Sequence, residues 1–188
     1  MATPRIIVFT APSGAGKTTI AHRVLKALPN VRFSVSVTTR EPRPNEVDGT
    51  DYHFVSPETF KQFIAQNAFV EYEQVYDDLY YGTLRTEVDQ ATQEAPVLLD
   101  IDVKGAHNVK KYFGDDALVI FVAPPSLDVL AERLTGRGTE ADAALQERLD
   151  RARMEVAQAD QFDVTVVNDD LETAIDETLA HIRQFLSG

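Results

Sequence analysis

A chain of 188 residues, 44% hydrophobic and 26% charged, can bury a full core and is too apolar to be disordered; one domain with room for small insertions is expected. A net charge of −12 argues against nucleic acid or an anionic membrane as partner, since both need a basic face. The absence of cysteine excludes disulfides, thiol catalysis and Cys-bound zinc, and Met1-Ala-Thr-Pro-Arg5 lacks the charged segment and apolar run of an export signal, so a cytoplasmic protein without membrane spans is expected.

The predicted elements alternate strand and helix, the pattern of a parallel sheet covered by helices, and the expected class is α/β. The apolar run Ile6–Phe9 predicts a buried strand, and Thr19–Leu28 predicts an amphipathic helix that Pro29-Asn30 ends. Between them lies Ala11-Pro12-Ser13-Gly14-Ala15-Gly16-Lys17-Thr18. Strand, small-residue turn ending in Gly-Lys-Thr, and helix together make a phosphate-binding loop. Gly14 and Gly16 let successive N–H groups aim at one point, beside the positive end of the new helix. Lys17 can set a compact charge on the β- and γ-phosphates, and the Thr18 hydroxyl can ligate Mg²⁺. Ala11 stands where the usual pattern opens with glycine, so it is expected at an ordinary φ. The bland alternative, a strand–helix turn with an incidental Gly-Lys-Thr, suits these flanks less well than a triphosphate site.

Downstream, Phe33–Thr39 alternates apolar and hydroxyl side chains and predicts a strand, followed by a charged, proline-rich loop at Arg40–Gly49. Asp51–Val55 and Phe69–Val75 predict short, half-exposed strands around a helix opened by Ser56 and Pro57. Residues 33–93 form the candidate inserted lobe. The main sheet resumes with a strand at Pro96–Asp102, a helix ending near Phe113-Gly114, and a buried strand at Ala117–Ala123. Ser126 caps a helix to about Thr135, Gly136-Arg-Gly-Thr139 breaks it, and a polar helix from about Asp142 to Ala159 is expected as a mobile hairpin over the site. Residues 126–159 thus form a lid region. Strand Val164–Val167 and a helix from Leu171, capped by Asp169 or Asp170, complete a core made of residues 1–32, 94–125 and 160–188.

Asp100 ends a buried strand, where a carboxylate can meet a metal held at the phosphate loop; the alternative is a turn former. Asp100 and Asp102 are read as lying on one strand face, Asp100 toward the metal and Asp102 toward a substrate. Arg40 and Arg43 flank a proline-stiffened turn, and with the phenols of Tyr52 and Tyr81 they suit a dianionic phosphomonoester. The competing reading is solvated arginines and core tyrosines. Arg133 and Arg137 share a helix face and Arg148 lies on the polar helix beyond; a hairpin carrying them would neutralise charge on a transferring phosphoryl group and exclude water. For Arg151 and Arg153 a salt-bridged, exposed helix is the preferred reading. Glu71, between Val70 and Tyr72, offers two acceptors that match the N1–H and 2-amino donors of guanine, whereas adenine has no such pair. A solvated strand glutamate is the alternative. Ser36, Thr83 and Asp102 can supply further polar contacts.

Taken together, these stretches resemble the guanylate kinases nearly end to end. The resemblance rests on Ala11–Thr18, Phe33–Arg43, Gly49–Phe54, Phe69–Tyr72, Tyr80–Thr83, Leu99–Asp102, Pro124–Ser126, Arg133–Thr139 and Val167–Asp169, all in order. It implies a P-loop kinase fold: a central parallel β-sheet flanked by helices, an inserted lobe that binds a nucleoside monophosphate, and a helical lid. The implied activity is transfer of the γ-phosphate of ATP to GMP, with dGMP as a second acceptor, giving ADP and GDP for guanine nucleotide recycling, with Mg²⁺. By position, Ser36, Glu71, Thr83 and Asp102 resemble the guanine contacts, and Arg40, Arg43, Tyr52 and Tyr81 the clamp on the GMP phosphate. Arg133, Arg137 and Arg148 resemble the lid arginines, Arg148 reaching GMP as well, and Asn168 resembles a residue beside adenine. Lys17, Arg137 and Arg148 are the expected catalytic cations; Thr18 and Asp100 are the expected metal-side groups. Ala11 for glycine and Thr83 for the serine of many relatives are the two departures, and neither removes a needed group. A phosphopeptide-binding module of the same fold is a rival, as is a P-loop kinase acting on a sugar phosphate. Intact Lys17, Thr18, Arg137 and Arg148 speak against the first, and Glu71 with Ser36 against the second.

Overall fold

The computed structural model describes residues 4–76, 78–135 and 142–188, and for 75, 76 and 142–145 the backbone alone. Strand β1 (Ile6–Thr10) is buried along its whole length, as is β8 (Ala117–Ala123). Both lie inside a sheet covered on two sides, so neither has a solvent face to make polar, and both read as unbroken apolar runs. With β2 (Arg32–Phe33), β7 (Val97–Asp100) and β9 (Val164–Val167) they form a five-stranded sheet in the order β2-β7-β1-β8-β9, every pairing parallel. Parallel neighbours need crossovers, and these are helices α1 (Lys17–Ala27), α4 (Val103–Phe113), α5 (Leu127–Thr135) and α6 (Asp142–Val156), with α7 (Leu171–Ser187) last. On one face Ile7, Phe9 and Ile120 pack with Ile20 and Val24 of α1 and Ile182 of α7; on the other Val8, Leu99 and Val119 pack with Ala106 and Val109 of α4. Because β1 has β7 on one side and β8 on the other, the chain runs both ways from β1, and the crevice beyond its carboxyl end is where such sheets hold ligands.

A second, four-stranded sheet has the order β4-β3-β6-β5, built from β3 (Val37–Thr38), β4 (His53–Phe54), β5 (Phe69–Tyr76) and β6 (Leu79–Leu84). Helix α2 (Pro57–Ala65) covers it, and α3 (Arg85–Val88) follows β6. The strand expected at Phe33–Thr39 is therefore two strands in two sheets. The alternation is present, but it does not name the neighbour: Ser34 N–H still donates to Leu98 (2.9 Å), after which the chain leaves β7 and Val37 pairs with Gly82. Asp51–Val55 shortens to β4 because the preceding residues turn tightly, with Gly49 at φ 75° and its N–H donating to the Tyr52 carbonyl at 2.8 Å. β6 escapes prediction because Gly82 interrupts its pattern. That glycine is needed for packing: a Cβ there would sit 2.9 Å from the Phe69 ring.

The small core of this sheet centres on Phe60, fully buried, with ring centroids 4.4 Å from Phe69 and 5.1 Å from Tyr80. Phe60→Ala is expected to lower stability by about 3–5 kcal/mol, read from the denaturant midpoint, because few neighbours can close the cavity.

Helix starts follow their caps. Ser56 Oγ accepts from Thr59 N–H at 3.2 Å, Ser126 Oγ from Val129 N–H at 3.1 Å, and Asp170 Oδ1 from Thr173 N–H at 2.9 Å. Asp170, rather than Asp169, is thus the cap of α7. Asp102 is not a strand residue: β7 ends at Asp100, and Asp102 caps α4 by accepting from Gly105 N–H at 2.7 Å. The polar α6 ends at Val156, short of the expected Ala159, and it contributes to a core, with Ala152 buried and Leu149 half-buried against Leu130 and Leu134 of α5. Its apolar stripe is too narrow to stand out among so many charges. Among the described residues, no helix is long and apolar enough to cross a membrane.

Candidate active site

The loop between β1 and α1 has the bend its glycines predict. Gly14 lies at φ 90° and Gly16, which caps α1, at φ 94°, while Ala11 keeps an ordinary φ, so its side chain adds no strain. Asn168 at the end of β9 fastens this loop from behind. It is buried, its amide donates to the Ala15 carbonyl at 2.7 Å, and a Cβ on Gly16 would lie 2.2 Å from the amide nitrogen. Asn168 therefore touches the phosphate loop itself.

Lys17 Nζ lies 2.5 Å from Asp100 Oδ1 and donates to the Ile101 carbonyl at 2.7 Å. The Thr18 hydroxyl donates to Asp100 Oδ2 at 3.3 Å, so one carboxylate spans both loop residues. Thr18 and Asp100 supply two hard oxygen donors at the loop's mouth. That set suits Mg²⁺, which keeps most of its shell as water and phosphate oxygens. Ser13 accepts from Arg148 Nη2 at 2.8 Å, bringing α6 onto the loop, and Arg133 Nη2 donates to the Asn168 carbonyl at 3.1 Å. Arg137 lies outside the described residues.

The guanine-reading candidates meet in one row of the second sheet. Glu71 on β5 pairs with Thr83 on β6, and Val37 pairs with Gly82, which sets Ser36 one step before that pair, beside Thr83. Strand alternation turns Thr83 and Tyr81 to the same face and Tyr80 to the other, toward Phe60. The Thr83 hydroxyl donates to Glu71 Oε1 at 2.6 Å, with Thr83 fully buried and Glu71 only 7% exposed. Burial pushes the Glu71 carboxyl up to about 7, the Thr83 hydrogen bond pulls against that, and the charges of Asp102 and Glu73 push it further. Asp102 reaches this row from the start of α4, through the turn that carries Ile101, whose carbonyl binds Lys17. A recess of about 240 Å³ opens beside it, lined by Glu73, Asp102, Lys104, Arg151 and Glu155 among others.

At the proposed phosphate clamp, Tyr52 and Tyr81 stand edge-to-face at 5.9 Å, and the Arg40 guanidinium lies 5.5 Å from the Tyr52 ring centroid. Partial burial raises the Tyr52 phenol above its ordinary value, with Tyr81 and Asp100 adding to it; the clamp and the phosphate loop thus share one electrostatic neighbourhood. Arg43 is exposed and engages through its backbone N–H, which donates to Glu46 Oε2 at 2.8 Å.

Two carboxylates escaped the sequence reading. Glu46 Oε1 accepts from Arg40 Nη2 at 2.8 Å and so aims that guanidinium. Its position three residues after Arg43 was the available signal. Glu155 accepts from Arg151 Nε at 2.9 Å, and burial raises its carboxyl while Arg151 lowers it. The i,i+4 spacing of Arg151 and Glu155 announces the pair but not its place beside Asp102, 3.9 Å from Arg151. Arg153 pairs with Asp150 at 2.7 Å on an exposed face, as expected.

A parallel sheet with a glycine loop opening onto α1, and a lysine and a carboxylate at its mouth, defines a P-loop nucleotide kinase. Comparison with solved structures agrees. A crystal structure of guanylate kinase from Anaplasma phagocytophilum superposes with TM-score 0.79 at 29% identity, covering 97% of this chain and 86% of that one. Shikimate kinase from Bacteroides thetaiotaomicron (TM-score 0.55, 16% identity, 98% and 99% covered) shares the fold. The guanylate kinase family model matches residues 3–186, and the chain belongs to that family. It is 64% identical over 182 residues to the guanylate kinase of Salinibacter ruber, covering 97% of both chains. It is 52% identical to that of Chlorobium chlorochromatii, over 97% of this chain and 96% of the relative.

Proposed function

We propose that this protein transfers the γ-phosphoryl group of ATP to GMP, or to dGMP, releasing ADP and GDP, in the cytoplasm. The observation that carries the reading is the buried Glu71–Thr83 pair with Asp102 near it, Asp102 following directly on Ile101, whose carbonyl holds the lysine of the phosphate loop. ATP lies with its phosphates on Ala11–Thr18, under Arg133, Arg137 and Arg148, and with adenine toward Asn168. GMP lies with its base against Ser36, Glu71, Thr83 and Asp102, and its phosphate on Arg40, Arg43, Tyr52 and Tyr81, with Arg148 reaching in from the lid. Residues 33–93 act as the GMP lobe and 126–159 as the lid over the remaining core.

The acceptor phosphate is largely ionised at neutral pH, so no protein base is needed. An oxygen of GMP attacks the γ-phosphorus in line, and the bond to the β,γ-bridging oxygen of ATP breaks toward ADP. Lys17 and Arg148 hold the phosphate oxygens, Glu46 keeps Arg40 aimed, and closure of lobe and lid excludes the water that would otherwise hydrolyse ATP. Mg²⁺ held at Thr18 and Asp100 would supply charge neutralisation on the phosphate oxygens. A phosphopeptide-binding role is disfavoured because Lys17, Thr18 and Arg148 are all in place.

The test is coupled ADP release with GMP, AMP, UMP and CMP offered separately. GMP is expected to exceed AMP in kcat/KM by about 10³-fold or more, because adenine would leave the buried carboxylate unpaired. Comparable turnover of AMP and GMP would overturn the reading.

A further inference from the structure

Gly105 is the third residue of α4, with helical backbone, where alanine is intrinsically the better helix former. Unlike Gly14 and Gly16, it does not adopt a positive φ, so backbone conformation does not require glycine there. Space does. A Cβ on Gly105 would stand 2.6 Å from Glu71 Oε2, 3.1 Å from Glu71 Cδ and 3.3 Å from Asp102 Oδ1. The oxygen it would strike cannot simply swing aside, because Oε1 of the same carboxylate is bound by Thr83 and the side chain is buried. Nor can α4 back away freely: Ala106 and Val109 of the helix are fully buried in a core against which Val70 of β5 also packs.

We propose that Gly105 is a positioning residue that determines base specificity. Its missing side chain is the seat in which the Glu71 carboxylate rests, Oε1 on Thr83 and Oε2 over the glycine, with the remaining acceptor positions of the carboxylate turned to the purine. The seat joins the two sheets, since Gly105 comes from a helix of the parallel sheet and Glu71 from β5 of the other. The proposal rests on the reading of Glu71 as the guanine-recognising group.

The experiment compares Gly105→Ala, Glu71→Ala and the double variant, with KM for GMP, inosine monophosphate (which lacks the 2-amino group) and ATP, and with thermal unfolding. Gly105→Ala is expected to raise KM for GMP about 10-fold or more and to erode the preference for GMP over inosine monophosphate, while KM for ATP stays at the parent value. The double variant is expected to match Glu71→Ala alone, since the added methyl then meets no carboxylate. Parental GMP kinetics and base preference in Gly105→Ala, alongside an impaired Glu71→Ala, would overturn the seat and leave the reading of Glu71 standing. Parental kinetics in Glu71→Ala would bring down that reading and the seat with it. Should Gly105→Ala fail to fold, the double variant decides: recovery of folding supports the seat, and continued failure overturns it.

Discussion

Lys17→Ala is expected to reduce phosphoryl transfer by about 10³-fold or more, while thermal unfolding stays close to that of the parent. The two halves of this expectation have separate physical grounds. The ammonium is the point charge that the phosphate loop itself brings to the β- and γ-phosphates, and a backbone cradle of neutral N–H dipoles cannot replace it when charge redistributes over the transferring group. Its ground-state partners are Asp100 Oδ1 and the Ile101 carbonyl. Both sit at the carboxyl end of β7, where the Asp100 side chain is 14% exposed and keeps the Thr18 hydroxyl. Deleting the lysine leaves a carboxylate that water can still reach, so the cost to folding is about 1 kcal/mol, far below that of stranding a fully buried charge. Lys17→Arg should be impaired too, because a planar fork cannot occupy the space of a compact ammonium 2.5 Å from Asp100. Full activity in either variant, by ADP release, would refute the assignment of the loop.

The phosphate loop was legible because its chemistry is contiguous: strand, glycines, lysine, threonine and helix follow one another, and each has a local cause. The parallel sheet was legible for a related reason, since strands buried on two faces write themselves as apolar runs such as Ile6–Phe9 and Ala117–Ala123. The second sheet was only partly so. Its strands are short, and β6 carries a glycine whose purpose is the Phe69 ring, which pattern alone does not reveal. Asp100 and Asp102, at i and i+2, were read onto one strand face because spacing does not say where a strand stops; the cap that Asp102 makes on Gly105 N–H marks that boundary. Glu46 acts through a folded-back loop and Gly105 on a side chain of another element, while Glu155 pairs within α6 and only the packing of that helix puts the pair beside Asp102; Gly105 in particular reads as an indifferent helical glycine until β5 is laid across it. Glu71 was singled out because guanine itself dictates the complement it needs, and the structure adds its burial and its bond from Thr83.

If Glu71 reads the base as proposed, the pH dependence of GMP binding is expected to carry its titration, and Glu71→Gln to remove it. In the folded protein its carboxyl is pushed up to about 7, chiefly by burial, from an ordinary value of 4.5. The folded state thus holds the proton more tightly than the unfolded chain, so the stability contributed by protonation is fully present below 4.5 and is lost as pH rises toward and through about 7. Ligand binding runs the other way. The N1–H and 2-amino donors of guanine need two free acceptor positions, which the carboxylate offers and the protonated acid does not. KM for GMP is therefore expected to fall as pH rises from 6 to 8, by close to tenfold per unit on the acid side of the transition. The GMP phosphate also ionises near pH 6 and shifts KM in the same direction, so the parent profile alone is not diagnostic. Glu71→Gln separates the two. It presents an amide N–H to the base and should lower kcat/KM for GMP by about 10²–10³-fold with KM for ATP unchanged. It should also keep the phosphate step while losing the one near 7. Equal GMP kinetics in parent and variant at pH 8 would remove Glu71 from the base site, because a carboxylate that accepts from both guanine donors cannot be exchanged for an amide without loss; parallel profiles would show instead that no carboxyl at the base titrates near 7.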